Sequence, residues 1–545
     1  MRRALLACAL VSTLWAAPDK KHPDEIRGAL STAKNTDFKR GDVRKGGQVI
    51  LPLLADVDSF NPFLTTSASA VNVHHLIYPR ALREHADYHK APSTYEPSLV
   101  DRWKQDGLKI HMHVRDKAVW SDGAPITSAD VRFSWQAAKS KDVAWANAYT
   151  VDFIKDVEIV DDKNVVVHFA EAYPEMLHDT RYMRVIPKHV YGKVPFKEWK
   201  SYKHWDEAAA VVSGPYKVQS YKHNEEFILV PNDRFWDKSR PRLQRVIFRV
   251  ITSRQTMFES LMAGELDGMT EVQPKHMKKV LEDPRYYLYT LTALTYAYVG
   301  WNCESEIFKD DRTRRAMTLA IDRENIVESL LYGQGTLLSS PLLTSRWAYD
   351  RSLEPHPFDP DRAVDLLGEA GWRRGKGGFL YRGRQRFEFH LATNNENERR
   401  KKVVQLIQAD LKEIGVVAHA RFLDFNTMTE NLRQGKEEAW ILGWRMSSKV
   451  DPKALFHSTE TDNYNLGRWR NKEADALIDT ARRETDIPRA KELWKKWQAV
   501  FHEEQPYTLL YEVRGLYALR KRYRDVEMNA INPYYNIDSW FIVPR

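Results

Sequence analysis

The period of the apolar pattern changes repeatedly along this chain, and that alternation limits the possible folds more than any single motif. "LKIHMHVR" places Leu108, Ile110, Met112 and Val114 on one face of a strand, because successive side chains of an extended backbone point to opposite sides. "VEIVDDKNVVVHF" reads as a hairpin, two apolar runs around Asp161–Asn164. "QRVIFRVI" is apolar on both faces, as a strand inside a covered sheet requires. Helical spacing alternates with these segments. From Arg312 to Tyr332 it places Ala316, Leu319, Ala320, Ile326 and Leu330 along one helix. "DPDRAVDLLGEAGW" has a proline near its start and Gly371 at its end, which are start and stop signals. "VVQLIQADLKEIGV" puts Val403, Ile407, Leu411 and Ile414 on one stripe. Strands and helices mixed throughout predict an α/β fold.

At 545 residues the chain exceeds what one core organises, so two or more lobes are expected. The formal charge is +9, but its 83 basic and 74 acidic residues are interleaved. The longest basic run, Arg399–Lys402, opens a helical pattern and is expected to form a solvated helix face. With neither zinc-finger spacing nor a glycine–aromatic motif, no nucleic-acid partner is expected. "MRRALLACALVSTLWAA", residues 1–17, has a basic start, an apolar run and small residues, the pattern of a cleavable secretory signal too short to span a membrane. Cys8 lies too early in it for a lipid anchor, and Cys303 is then left without an intramolecular disulfide partner. Residues 18–45 are polar and charged and predict a flexible lead. Order is expected from "GGQVILPLLADVDSFNPF", whose strand runs over Gln48–Leu54.

Several stretches, taken in order, carry a resemblance. They are "GLKIHMHVRDKAVWSDGAPITSADVRFSW" (107–135), "SGPYKV" (213–218), "NDRFWD" (232–237), "AGELDGM" (263–269), the segment 307–342, "FDPDRAVDLLGEAGW" (358–372) and "NYNLGRWRNKEADALID" (463–479). This series resembles the family 5 extracytoplasmic solute-binding proteins, the oligopeptide and dipeptide receptors of ABC importers. The resemblance implies a two-lobed periplasmic-binding-protein fold of type II with an extra inserted subdomain. Lobe 1 would comprise 46–80, 208–300 and 505–545, the inserted subdomain 81–207, and lobe 2 301–504. Two strands near 300 and 505 would form the hinge. It further implies a periplasmic, monomeric receptor with no cofactor or catalytic group. Such a receptor captures a peptide or other small solute and delivers it to separate permease and ATPase subunits.

The same resemblance selects site residues. In "AWILGWRMSSKVDPKALFHS" (439–458), Trp444 matches a tryptophan that packs on the ligand, and Arg445 either meets an anionic group or points to solvent. Ser447 stands where many relatives carry an aspartate for the peptide's amino terminus. The change leaves three alternatives: another carboxylate such as Glu304 or Asp424, a longer peptide held by its backbone, or a ligand without an ammonium. Ser67, Ala68 and Ser69 match a loop beside the ligand backbone. Tyr298, Trp301 and Asn302 lie at the expected crossing, and Trp145 or Tyr149 would cap the cleft. The rival readings are a sugar, an anionic small molecule or a nickel complex as ligand, and an exported hydrolase. His111 and His113 alternate on a strand but away from the expected cleft, so no metal site is expected there. The chain has neither G-x-S-x-G nor H-E-x-x-H, so no enzyme is expected.

Overall fold

The computed structural model describes residues 26–27, 32–85, 94–182, 184–446, 449–529 and 532–543. The expected signal segment, with Cys8, lies outside the described residues.

Lobe 1 is built on a four-stranded sheet ordered Tyr216–Lys222, Glu226–Pro231, Arg245–Val250, Gln48–Leu53. The last two strands are parallel, with Val246 beside Val49 and Phe248 beside Leu51. Val246, Ile247 and Phe248 are all buried, as their unbroken apolar run requires. The inserted subdomain carries an antiparallel sheet ordered Val100–Asp106, Lys109–Val114, Asn164–Phe169, Ile154–Ile159. Ile110, Met112 and Val114 point to its core, whereas Leu108 falls just outside the strand and is exposed. The hairpin around Asp161 forms as its sequence suggests, because the Asp161 carboxylate accepts hydrogen bonds from Lys163 N and Asn164 N at 2.8 Å each.

Lobe 2 centres on three mutually parallel strands, with Glu388–Asn394 between Val417–Leu423 and Ala439–Arg445. The helix Glu398–Glu413 covers them, burying Val403, Val404, Ile407 and Leu411. The helix Pro360–Glu369 starts where Asp359 accepts from Arg362 N and ends before Gly371, which has φ +89°. The single helix expected over Arg312–Tyr332 is two, Asp311–Leu319 and Arg323–Leu331. Asp322 breaks it: its side chain caps the second helix at Asn325 N, and its own N–H bonds to Asp410.

Two long strands, Tyr286–Trp301 and Tyr507–Arg520, run antiparallel through both lobes. Their register breaks between Thr292 and Tyr296. Residues before the break belong to the lobe 1 side, with Gly268–Met269 alongside, and Thr295–Trp301 pair with Arg445–Ala439 of lobe 2. A second shift follows between Ala297 and Tyr298, so the pairing is irregular over 292–298 and the strand Ala439–Arg445 joins from Thr295 onward. Along Tyr507–Arg520 the break coincides with Glu512, Arg514 and Gly515, between two apolar halves, whereas Tyr286–Trp301 carries no charged residue to mark it.

The flexible lead also needs correction. Ile26–Arg27 pairs in parallel with Leu288–Tyr289, and Thr32–Asn35 pairs antiparallel with Val526–Asn529. Strand pairing uses backbone groups, which a polar sequence supplies as well as an apolar one. Among the described residues no helix is long and apolar enough to cross a membrane.

Candidate functional site

Because the three central strands of lobe 2 are parallel, their C-terminal ends, Asn394, Leu423 and Arg445, emerge on one edge. Arg445 pairs with Thr295, inside the register break, so this edge faces the hinge and lobe 1. The crevice beyond the carboxyl ends of such strands is where open α/β sheets bind ligands. Met446 continues the contact by donating its N–H to Leu294 O at 2.7 Å.

Trp444 is half-buried on this edge. Its indole stacks on Tyr298 with centroids 6.3 Å apart and planes 9° from parallel. Tyr298 stacks in turn on Tyr507 at 4.1 Å and 12°. Tyr464, 43% exposed, meets Trp444 edge-on at 5.9 Å. Phe422 and Phe425 are also exposed beside the strand end at Leu423. An aromatic surface held rigid from below gives a ligand large contact area at little entropic cost.

Arg400 lies at the start of the covering helix and turns inward. Its guanidinium donates to Asn394 Oδ1 at 2.8 Å and passes over Gly443. A Cβ at Gly443 would stand 2.8 Å from Tyr296 O and 3.3 Å from that guanidinium, so only glycine fits there. Burial holds the Arg400 guanidinium below its usual range. No described carboxylate lies within 4.0 Å of Arg400 or Arg445. Arg445 itself is exposed, and it opposes the rise of the Tyr517 hydroxyl, which burial first and Glu271 next push up to about 12. Glu512, paired with Tyr296 across the hinge strands, is fully buried. Its carboxylate accepts from Thr344 N at 3.3 Å and Oγ1 at 2.6 Å, and burial pushes it up to about 7.

The other residues expected to touch a ligand differ in burial, and some are core. Trp301 is fully buried against Phe308 and Phe389, and its indole donates to Thr508 Oγ1 at 3.0 Å, so it is core of lobe 2. Asn302 spends its side chain on Gly435 O, Glu437 O and Glu304 N. Tyr298 is also fully buried and supports Trp444 rather than forming the wall itself. Trp145 packs into the core against Phe63 at 5.4 Å, while Tyr149 is 60% exposed. Ser67 caps the helix Ala68–Ile77, Ala68 is exposed, and Ser69 turns inward to accept from Ala55 N. Asp58 ties that loop down, accepting from Thr66 N at 2.9 Å and Ser67 N at 3.2 Å. Ser447 lies outside the described residues. Glu304 is engaged by Arg468 and Arg470, and Asp424 caps the helix Phe425–Arg433, so both carboxylates already have partners. Asn394, Arg400 and Glu512 went unrecognised in the sequence. The run "TNNENERR", polar between a strand and a helix, is the signal that marks the first two.

Residues 94–465 match the family model of the bacterial extracellular solute-binding proteins, family 5. The chain belongs to this family. Among family 5 relatives, the oligopeptide-binding protein AppA of Bacillus subtilis is 26% identical over 530 residues, 94% of this chain and 95% of that protein. The structure of AppA in complex with a nonapeptide superposes with a TM-score of 0.75 at 25% identity, covering 92% of this chain and 100% of AppA. The heme-binding protein A of Haemophilus influenzae is 25% identical over 473 residues, 82% of this chain and 84% of that protein. The two-lobed α/β architecture expected from the sequence is that of family 5.

Proposed function

We propose that this chain is an exported receptor that captures a peptide, of oligopeptide length, between its lobes and hands it to an ABC importer's permease and ATPase. It acts as a monomer, binds one equivalent and returns it unchanged. The observation that carries this reading is the hinge-facing edge, where Trp444 is braced from below by Tyr298 and Tyr507 and flanked by Asn394 and Arg400. The edge combines apolar area with polar groups and, among the described residues, holds no nucleophile–base pair. Near-complete coverage of a relative solved with a nonapeptide supports the ligand class. Arg400 and Arg445, without carboxylate partners within 4.0 Å among the described residues, favour a ligand portion that bears an acid.

The test is a native mass spectrum of protein exported and purified without denaturant, followed by release and sequencing of what travels with it. A ladder of peptides is the expected result. A single non-peptide mass would overturn the peptide reading while leaving the receptor intact.

A further inference from the structure

Away from the cleft edge, lobe 2 meets the inserted subdomain around Lys449. The lysine Nζ lies 3.1 Å from Asp179 Oδ2. It also stands 4.6 Å from the centroid of the Tyr173 ring and 5.5 Å from that of Phe153. Asp179 belongs to the helix Met176–Tyr182 of the inserted subdomain. Its carboxylate accepts from the Tyr173 hydroxyl at 2.5 Å and bonds His178 Nδ1 at 3.1 Å. Next to it, Glu175 Oε1 accepts from Val450 N at 3.3 Å. The lysine and aspartate side chains are only 18% and 2% exposed. The charges at the rim are matched as well: Arg483 pairs with Glu171 at 3.0 Å, and Arg482 with Asp451 at 2.8 Å.

A carboxylate combined with two aromatic faces is the arrangement that recognises ammonium groups. Here it is assembled by the inserted subdomain alone, from Phe153, Tyr173, Glu175 and Asp179. Its occupant comes from the other lobe, just past the cleft-facing strand that ends at Arg445. Withdrawal from water strengthens the attraction between the two charges at the cost of desolvating both, and removing the cation then strands the carboxylate.

We propose that this cage is an ammonium-binding site that the protein fills with its own Lys449, so that the inserted subdomain closes on lobe 2 without a cation from the solute. Lys449 is then a positioning residue. Together with Val450 N on Glu175, it ties this part of lobe 2 to the inserted subdomain, and it makes a free amine on the solute unnecessary for closure. The proposal stands on this interface and not on the peptide reading, so either can fail alone.

Single-molecule energy transfer between dyes on the exposed positions Lys141 and Lys472, in the full chain carrying Cys303→Ser and without solute, tests it. The parent protein should be predominantly compact. Lys449→Ala should lower the compact population several-fold, and millimolar propylammonium should restore it while propanol does not. Lys449→Met, which keeps the stem over the rings without the charge, should stay open, with an unchanged melting temperature showing that the lobes remain folded. A parent that is open without solute, a Lys449→Ala distribution like the parent's, or rescue by propanol equal to that by propylammonium would each overturn the proposal.

Discussion

Replacing Glu512 with glutamine tests whether the hinge carries a carboxyl group that resists ionisation. The group is fully buried, and burial pushes it from the usual 4.5 up to about 7. The unfolded chain gives up this proton near 4.5, whereas the folded chain holds it to about 7. Between those values the folded state binds more protons, so its stability falls as pH rises and levels off above 7. At about 1.4 kcal/mol per pKa unit the full cost is roughly 3 kcal/mol. Glutamine has the same shape, still accepts from Thr344 and never ionises, so Glu512→Gln removes the cost. Calorimetric melting at pH 5 and pH 8 is the assay. The variant should match the parent closely at pH 5 and melt higher at pH 8, by roughly 5–10 °C for a cooperative unit the size of one lobe. An equal difference between variant and parent at both pH values would show that the carboxyl is ionised in the fold and that the reasoning is wrong.

Three further outcomes are expected. Trp444→Ala removes the half-buried platform above Tyr298, so affinity for the tightest member of a nonapeptide library should fall by roughly 30-fold or more by calorimetry, with the melting temperature little changed. Trp301→Ala should do the reverse, costing about 3–5 kcal/mol in denaturant unfolding of lobe 2, because the fully buried indole packs on Phe308 and holds Thr508. Gly300→Ala places a methyl group into the Trp440 ring and should cost at least about 1–3 kcal/mol, read as a lower denaturation midpoint.

Legibility differed among the tryptophans for a physical reason. Trp145 lies between two alanines, and Trp301 and Trp444 have the same local setting, a glycine before and a polar residue after, so nothing local separates a core indole from a ligand platform. The difference is made by what packs on each ring: Phe63 on the first, Phe308 and Phe389 on the second, and on the third Tyr298 below and Tyr464 at its edge. Arg400 went unseen for the same reason. In "RRKK" it resembles its neighbours, and only the rotation of the helix Glu398–Glu413 turns it toward Asn394.

What the chain's local chemistry decided by itself is substantial. Alternation produced the strand Lys109–Val114, a turn-forming aspartate produced the hairpin before Asn164, and Asp359, Pro360 and Gly371 bounded a helix. These features depend on interactions within a few residues, which sequence order preserves. Tertiary structure alone decided where the two long strands pass between lobes, which polar segments of the lead become edge strands, and that Lys449 lies against Asp179. Each of those pairs groups far apart in sequence, and their partners are chosen by the packing of whole sheets, which no local pattern encodes.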